Sequence, residues 1–215
     1  MPFPANPTLN QTWVEDNTTY TYAGLLNGWV RTTVNPNNSS TFRSSSLVLA
    51  RGYGADASVT FTRTADTVAY TALDVIGINN AGSPGSAIHT LAFNNAPPGA
   101  LIQIDSASLT INATSLPSGM TGFTLHLYTT SPTAILDNAA FSAAAADRAS
   151  YLGSIALSTP TLIGGGFLFS FSDYIGRKIR FPSTSLFVVI STVGGFTPAS
   201  GTEFTLRLVG VDVGA

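Results

Sequence analysis

Residues able to do acid–base, metal or nucleophilic chemistry are few in this chain and widely spread. There are two histidines, His89 and His126, and no cysteine. The missing thiol excludes disulfides, thiolate metal sites and a cysteine nucleophile. Each histidine falls inside a run with strand character, and neither has a family signature around it. Both are expected as strand residues facing solvent or a subunit interface. Two histidines on two strands make no zinc site without further ligands. Serines and aspartates are plentiful, but no G-x-S-x-G elbow occurs to present a serine nucleophile. The eleven acids are scattered. Asp16, Asp56, Asp66, Asp137, Asp147 and Asp173 sit near turn signals, where aspartate commonly bonds its own backbone. A glycosidase would need two carboxylates facing each other across a groove, and no motif supplies them. No EF-hand loop, P-loop or dinucleotide fingerprint is present. The expectation is a non-enzymatic chain without catalytic residues, metal or cofactor.

One basic cluster stands out, Arg177-Lys178-Ile179-Arg180. On a strand, Lys178 and Arg180 share one face and Arg177 takes the other. Either group could pair with acids of a neighbouring subunit, or the cluster could form a solvated edge that discourages aggregation. Lys178 is the only lysine, and the net charge of −2 leaves no electrostatic footprint for nucleic acid.

Only 9% of the residues are charged, against about 25% in an ordinary globular protein. A surface of Ser, Thr, Asn and Gly suits a protein packed against neighbours, although secreted β-sandwiches are often Ser/Thr-rich too. Mean hydropathy is +0.27, yet no run approaches the roughly 20 apolar residues of a membrane-spanning helix. Residues 1–6 show neither a positive region nor an apolar one, so no secretory signal and cytoplasmic synthesis are expected.

These residues need elements to hold them, and the pattern is β almost throughout. Candidate strands cover residues 57–63, 85–93, 101–112, 121–128, 151–157, 166–171, 177–181, 185–193 and 203–213. Phe123, Leu125 and Leu127 alternate onto one face, as do Phe204, Leu206 and Leu208. Pro97-Pro98-Gly99, Pro117-Ser118-Gly119, Gly164-Gly165-Gly166 and Gly194-Gly195 separate the runs. The one helical candidate is the Ala-rich stretch 137–149, with Asp137 or Ser142 as its N-cap. The fold class expected is all-β, a jelly-roll-like β-sandwich over residues 56–215. A small N-terminal β-meander (residues 1–32) and a Ser/Asn-rich linker (33–55) precede it. The meander's core would be Trp13, Tyr20, Tyr22 and Trp29. Those tryptophans could instead form a carbohydrate platform, but packing in a minimal meander is the preferred reading. Three short strands are marginal alone, so the meander should dock on something.

Two stretches resemble structural proteins of tailed bacteriophages. Asn6-Pro7-Thr8-Leu9-Asn10-Gln11-Thr12-Trp13, with Thr19-Tyr20-Thr21-Tyr22 and Asn27-Gly28-Trp29, is similar to the N-terminal module that attaches phage fibres to the particle. Thr60-Phe61-Thr62-Arg63, Leu116-Pro117-Ser118-Gly119-Met120, Leu125-His126-Leu127-Tyr128 and Asp147-Arg148-Ala149-Ser150-Tyr151-Leu152-Gly153 resemble a widespread family of phage virion proteins. The resemblance implies a virion location and a capsid decoration or head-fibre role, with attachment through Trp13, Tyr20, Tyr22 and Trp29. Its implied partners are the major capsid protein or other virion proteins and two further copies in a homotrimer, with no nucleic acid and no membrane. The alternative is a tail-associated fibre or receptor-binding protein that recognises host surface polysaccharide.

Overall fold

A computed structural model of the chain describes residues 8–15, 18–23, 28–33, 54–80, 83–93, 96, 99–180 and 183–213. The expected linker at 33–55 lies almost wholly outside the described residues. The chain divides into two compact units, Met1–Ala50 and Arg51–Ala215.

The first unit is an antiparallel meander of β1 (Thr12–Glu15), β2 (Thr18–Ala23) and β3 (Gly28–Thr33). Its β-branched and aromatic residues suit a pleated surface. The chain enters through a turn at Asn10, whose φ is +64°, and Gln11 bonds back to Thr8 through its backbone and side chain.

The second unit is a sandwich of two antiparallel sheets. It contains β4 (Gly54–Thr62), the two-residue strands β5 (Asn79–Asn80) and β6 (Ser83–Pro84), β7 (Ile88–Ala92), β8 (Leu101–Ile111) and β9 (Phe123–Tyr128). After these come β10 (Tyr151–Leu157), β11 (Thr161–Ile163), β12 (Phe167–Ser172), β13 (Arg177–Arg180), β14 (Ser185–Thr192) and β15 (Glu203–Asp212). One sheet has the order β10-β9-β14-β7. The other runs β11-β12-β8-β15-β4, with β13 continuing the lane of β12 along β8. Pairing is nested: β4 with β15, β7 with β14, β8 with β12, β9 with β10. That nesting is a jelly roll.

The core lies between the sheets, where every second residue turns inward. Leu206, Leu208, Ile102, Ile104, Leu109, Leu125, Leu127, Leu186, Val188 and Ile190 meet there, all fully buried. Alternation along β8 slips by one residue between its two halves. Ile102 and Ile104 face inward, then Ala107, Leu109 and Ile111, with Asp105 and Ser106 half-buried between them. A β-bulge absorbs the slip: Val209 pairs with Ser106 and the next residue, Gly210, with Ile104. Gly210 fits this place because a Cβ would collide with the Gln103 carbonyl oxygen.

The helix expected over residues 137–149 is not formed. Only a 3-10 turn at Ala145–Ala149 appears. Asn138 takes a left-handed φ of +62°, which breaks any helix there, and Asp137 is committed to a buried hydrogen-bond set rather than a cap. Among the described residues no helix is long and apolar enough to cross a membrane.

Candidate functional site

The four aromatic residues singled out in the N-terminal unit come together in register. Trp13 pairs with Tyr20, and Tyr22 with Trp29. Directly opposed residues share a face, as do residues two apart on one strand. All four positions therefore lie on one face of the meander, and Arg31 joins them opposite Tyr20. Tyr20 and Tyr22 are half-buried.

On the sandwich, the polar groups with the most unusual setting line the connection from β4 to β7. Arg63 follows β4 and is fully buried. Its guanidinium donates to the Asp66 backbone oxygen (2.6 Å), the Asp66 carboxylate (2.7 Å) and the Tyr70 hydroxyl (3.1 Å). Tyr70 in turn donates to Asp137 Oδ1 at 2.7 Å, which also accepts the Gly77 N–H at 2.8 Å. Asp137 Oδ2 has no hydrogen-bond partner and lies 3.7 Å from Arg63. Gly77 permits this close approach, since a Cβ there would stand 2.7 Å from the Gly85 oxygen and 2.8 Å from Asp137 Cβ. Burial, with Asp137 adding to it, pushes the Tyr70 phenol far above its usual range. The hydrogen bond from Arg63 holds the Asp66 carboxyl below the usual carboxylate range. The cluster clamps the β9–β10 connection, which carries Asp137, to the β4–β7 connection and the end of β4.

Both histidines depart from the expected exposed or interfacial strand positions. They are buried. His89 stacks on Phe61 in the core (3.8 Å between ring centres) and its Nε2 meets the Ile76 carbonyl at 2.8 Å. His126 sits on the outer face of the β10-β9-β14-β7 sheet. That face is covered by residues 135–141, which hydrogen-bond to residues 73–87 (Ala87 to Ile135, Val75 to Ala139, Phe141 to Leu73). Phe141 stacks on the His126 ring at 3.6 Å, while Val75, Ala87, Tyr128 and Val189 form a second small core beside it. A polar strand position could be buried there only because another segment supplies a lid, a long-range event invisible in the local pattern. Desolvation lowers both imidazoles to about 4.

His126 Nε2 lies 3.0 Å from Ser191 Oγ, and Nδ1 lies 3.3 Å from the Tyr151 hydroxyl. This resembles part of a nucleophile–base pair. Ser191 is fully buried, and the third group is a phenol rather than a carboxylate, so the pair reads as packing. Among the described residues no three His, Asp or Glu side chains converge as a metal site.

Two of the hollows on the sandwich combine aromatic and polar linings. One, about 490 Å³, lies between the β8–β9 and β14–β15 connections and is lined by Pro117, Met120, Phe196 and Pro198 with Thr114 and Thr197. The other, about 670 Å³, lies where β12 breaks before β13, opposite the β8 bulge. Gln103, Asp105, Ser106, Asp173 and Tyr174 line it. Tyr174 is 99% exposed and takes a left-handed φ of +56°. In the basic cluster beside it, Lys178 and Arg180 face outward around buried Ile179, and Arg177 is half-buried. Sequence reasoning passed over this hollow, because two separated bends build it. Its one visible signal was the polar interruption Ser172-Asp173 after an aromatic strand.

The fold and these sites define a class, an all-β jelly-roll domain. No protein-family model matches the chain, and no curated protein matches it in sequence. Among solved structures, it is similar to a chain from the full particle of Israeli acute paralysis virus heated to 63 degrees. The TM-score is 0.32 and the identity 9%, over 98% of this chain and 93% of the viral one.

Proposed function

We propose that the protein is a non-enzymatic virion structural component, a capsid decoration or head-fibre protein of a tailed bacteriophage that joins the particle through its N-terminal segment. The observation that carries this reading is the aromatic face of the meander. Trp13, Tyr20, Tyr22 and Trp29 occupy register positions on one side of a three-stranded sheet, in a compact unit distinct from the sandwich. So small a sheet has little core of its own. Buried aromatics are the residues that most often dominate an interface. The partner in this reading is the major capsid protein or another virion protein. The 9% charge content supports it, because low surface charge suits a protein packed against neighbours rather than free in solution.

Co-sedimentation with particles tests the attachment. Full-length Trp13→Ala and Trp29→Ala variants should each bind at least roughly tenfold more weakly, as expected for interface aromatics. The thermal transition of the sandwich should not move. Undiminished binding by both variants would remove the attachment role from this face.

A second reading has its own observation. Tyr174, fully exposed beside Gln103, Asp105 and Asp173, has the make-up of a saccharide site: an aromatic ring to stack on, ringed by hydrogen-bonding groups. It would serve a tail-associated fibre or receptor-binding protein that recognises host surface polysaccharide. Titration with neutral host polysaccharides should then show binding that Tyr174→Ala weakens by about tenfold. No binding across the host's polysaccharides would end this reading.

A further inference from the structure

Strand β12 carries its amphipathic pattern inside out. In Phe167-Leu168-Phe169-Ser170-Phe171-Ser172, the small or modest residues Leu168 and Ser170 face the core and are fully buried. The three phenylalanines face outward. Phe167 and Phe171 are 37% and 42% exposed, and Phe169 stacks on Phe171 at 5.6 Å. A sheet with one face on the core normally keeps its other face polar. The neighbouring outward residues on β8, Ser108 and Thr110, follow that rule, opposite Phe171 and Phe169.

The next strand, β11, extends the same patch. It ends the sheet, and all three of its residues are exposed, with Leu162 at 41% and Ile163 at 45%. Ile163 pairs with Phe167 and Thr161 with Phe169, which puts both on the phenylalanine side. Natural edge strands are usually guarded by charge, a bulge or a covering segment. Here no charged residue occurs between Arg148 and Asp173, and the outer edge of β11 pairs with no strand among the described residues.

We propose that the β11–β12 hairpin is a self-association surface, where β11 pairs antiparallel with β11 of a second copy across a two-fold axis. An isologous contact needs a patch complementary to itself. This one qualifies on charge, because two copies bring no like charges together. It qualifies on hydrogen bonding, because an antiparallel strand edge satisfies a copy of itself. The pairing runs the two sheets into one and joins the two phenylalanine stripes through Thr161 and Ile163 of both copies, which lie between them on the same face. The contact is two-fold and departs from the homotrimer implied by the phage resemblance. It is independent of the N-terminal attachment reading.

Full overlap of the three-residue strands across the two-fold fixes the register, with Leu162 at its centre facing Leu162 of the second copy. Opposed Cα atoms there stand about 4.5–5.5 Å apart, within disulfide range. The chain has no cysteine of its own, so Leu162→Cys in the full-length protein is a clean probe. It should form a disulfide-linked dimer roughly tenfold faster than Ser58→Cys, an exposed site on the opposite edge strand β4, because only the first pair is held in bonding geometry. Light scattering on the unmodified chain should give twice 22.3 kDa, and Phe171→Glu and Ile163→Lys should each return it to 22.3 kDa with the β-sheet circular dichroism retained. A monomeric or trimeric mass for the unmodified chain overturns the proposal. So does a dimer that both charged variants leave intact, or equal crosslinking at the two cysteines.

Discussion

Replacing Arg63 with methionine should lower the unfolding free energy by about 3–5 kcal/mol, the usual cost of stranding one member of a buried ion pair. Asp137 is 5% exposed, and its Oδ2 has no hydrogen-bond partner other than the field of Arg63 at 3.7 Å. Without the guanidinium, a carboxylate remains buried beside a phenol that burial already holds neutral. Tyr70 also loses the donor on its oxygen. A domain of this kind is stable by only about 5–15 kcal/mol in all, so the loss is a large part of the whole. Asp137→Asn should cost less, because an amide oxygen still accepts from Tyr70 and Gly77 while Arg63 keeps Asp66. Urea unfolding of the three proteins gives the order. A loss below about 1 kcal/mol for Arg63→Met, the size of an exposed ion pair, would show that the clamp is not a stability element.

Acid should destabilise the fold well before its carboxylates are neutralised. His89 and His126 are buried, and desolvation holds both near 4 in the folded protein. In the unfolded chain they titrate near 6.5. The folded-state values are lowered, so between those pH values the unfolded chain binds more protons and stability falls as pH falls. The loss begins near pH 6.5 and levels off near pH 4. At about 1.4 kcal/mol per unit, His89 accounts for about 3 kcal/mol and His126, nearer the surface, for less. Unfolding free energies at pH 7, 5.5 and 4 should trace this slope. His89→Gln should remove most of it, even if the variant starts from a lower stability. An unchanged slope in that variant would place the acid sensitivity elsewhere.

Much of the architecture was legible because strands announce themselves through period-two alternation. Residues 151–157 match β10 end to end, and the runs at 101–112, 185–193 and 203–213 each miss β8, β14 and β15 by one residue. Local pattern could not show what the sheets would do to each other. Residues 137–149 look helical by composition, yet Asp137 is drawn into the Arg63–Tyr70 clamp by residues some 70 positions away. His126 reads as a solvent-facing strand residue until residues 135–141 fold over it. The Phe167 stripe alternates well, but alternation does not say which face is inward. That was settled by the register of β12 on β8, which turns Leu168 and Ser170 to the core. For the candidate sites, the Trp13–Tyr20 pairing follows from a two-residue turn at Asp16-Asn17, but the Tyr22–Trp29 pairing does not follow from Asn27-Gly28, because Gly28 belongs to β3 and pairs with Ala23. The Tyr174 hollow could not be read from local pattern, since it needs a bulge in one strand opposite a break in another.

The nested pairing also has a consequence in time. β14 lies inside one sheet, between β9 and β7, and β15 lies inside the other, between β8 and β4. They follow every other described strand of the sandwich in the chain. Until residues 185–212 emerge, β7 is cut off from β9 and β4 from β8, and β4 waits through the synthesis of the rest of the domain for the one strand it pairs with among the described residues. Contacts so distant along the chain make folding slow. A truncation that removes β15 should therefore leave β4 unpaired and β8 with an open edge rather than a smaller domain, and the nascent chain holds that state until β15 emerges.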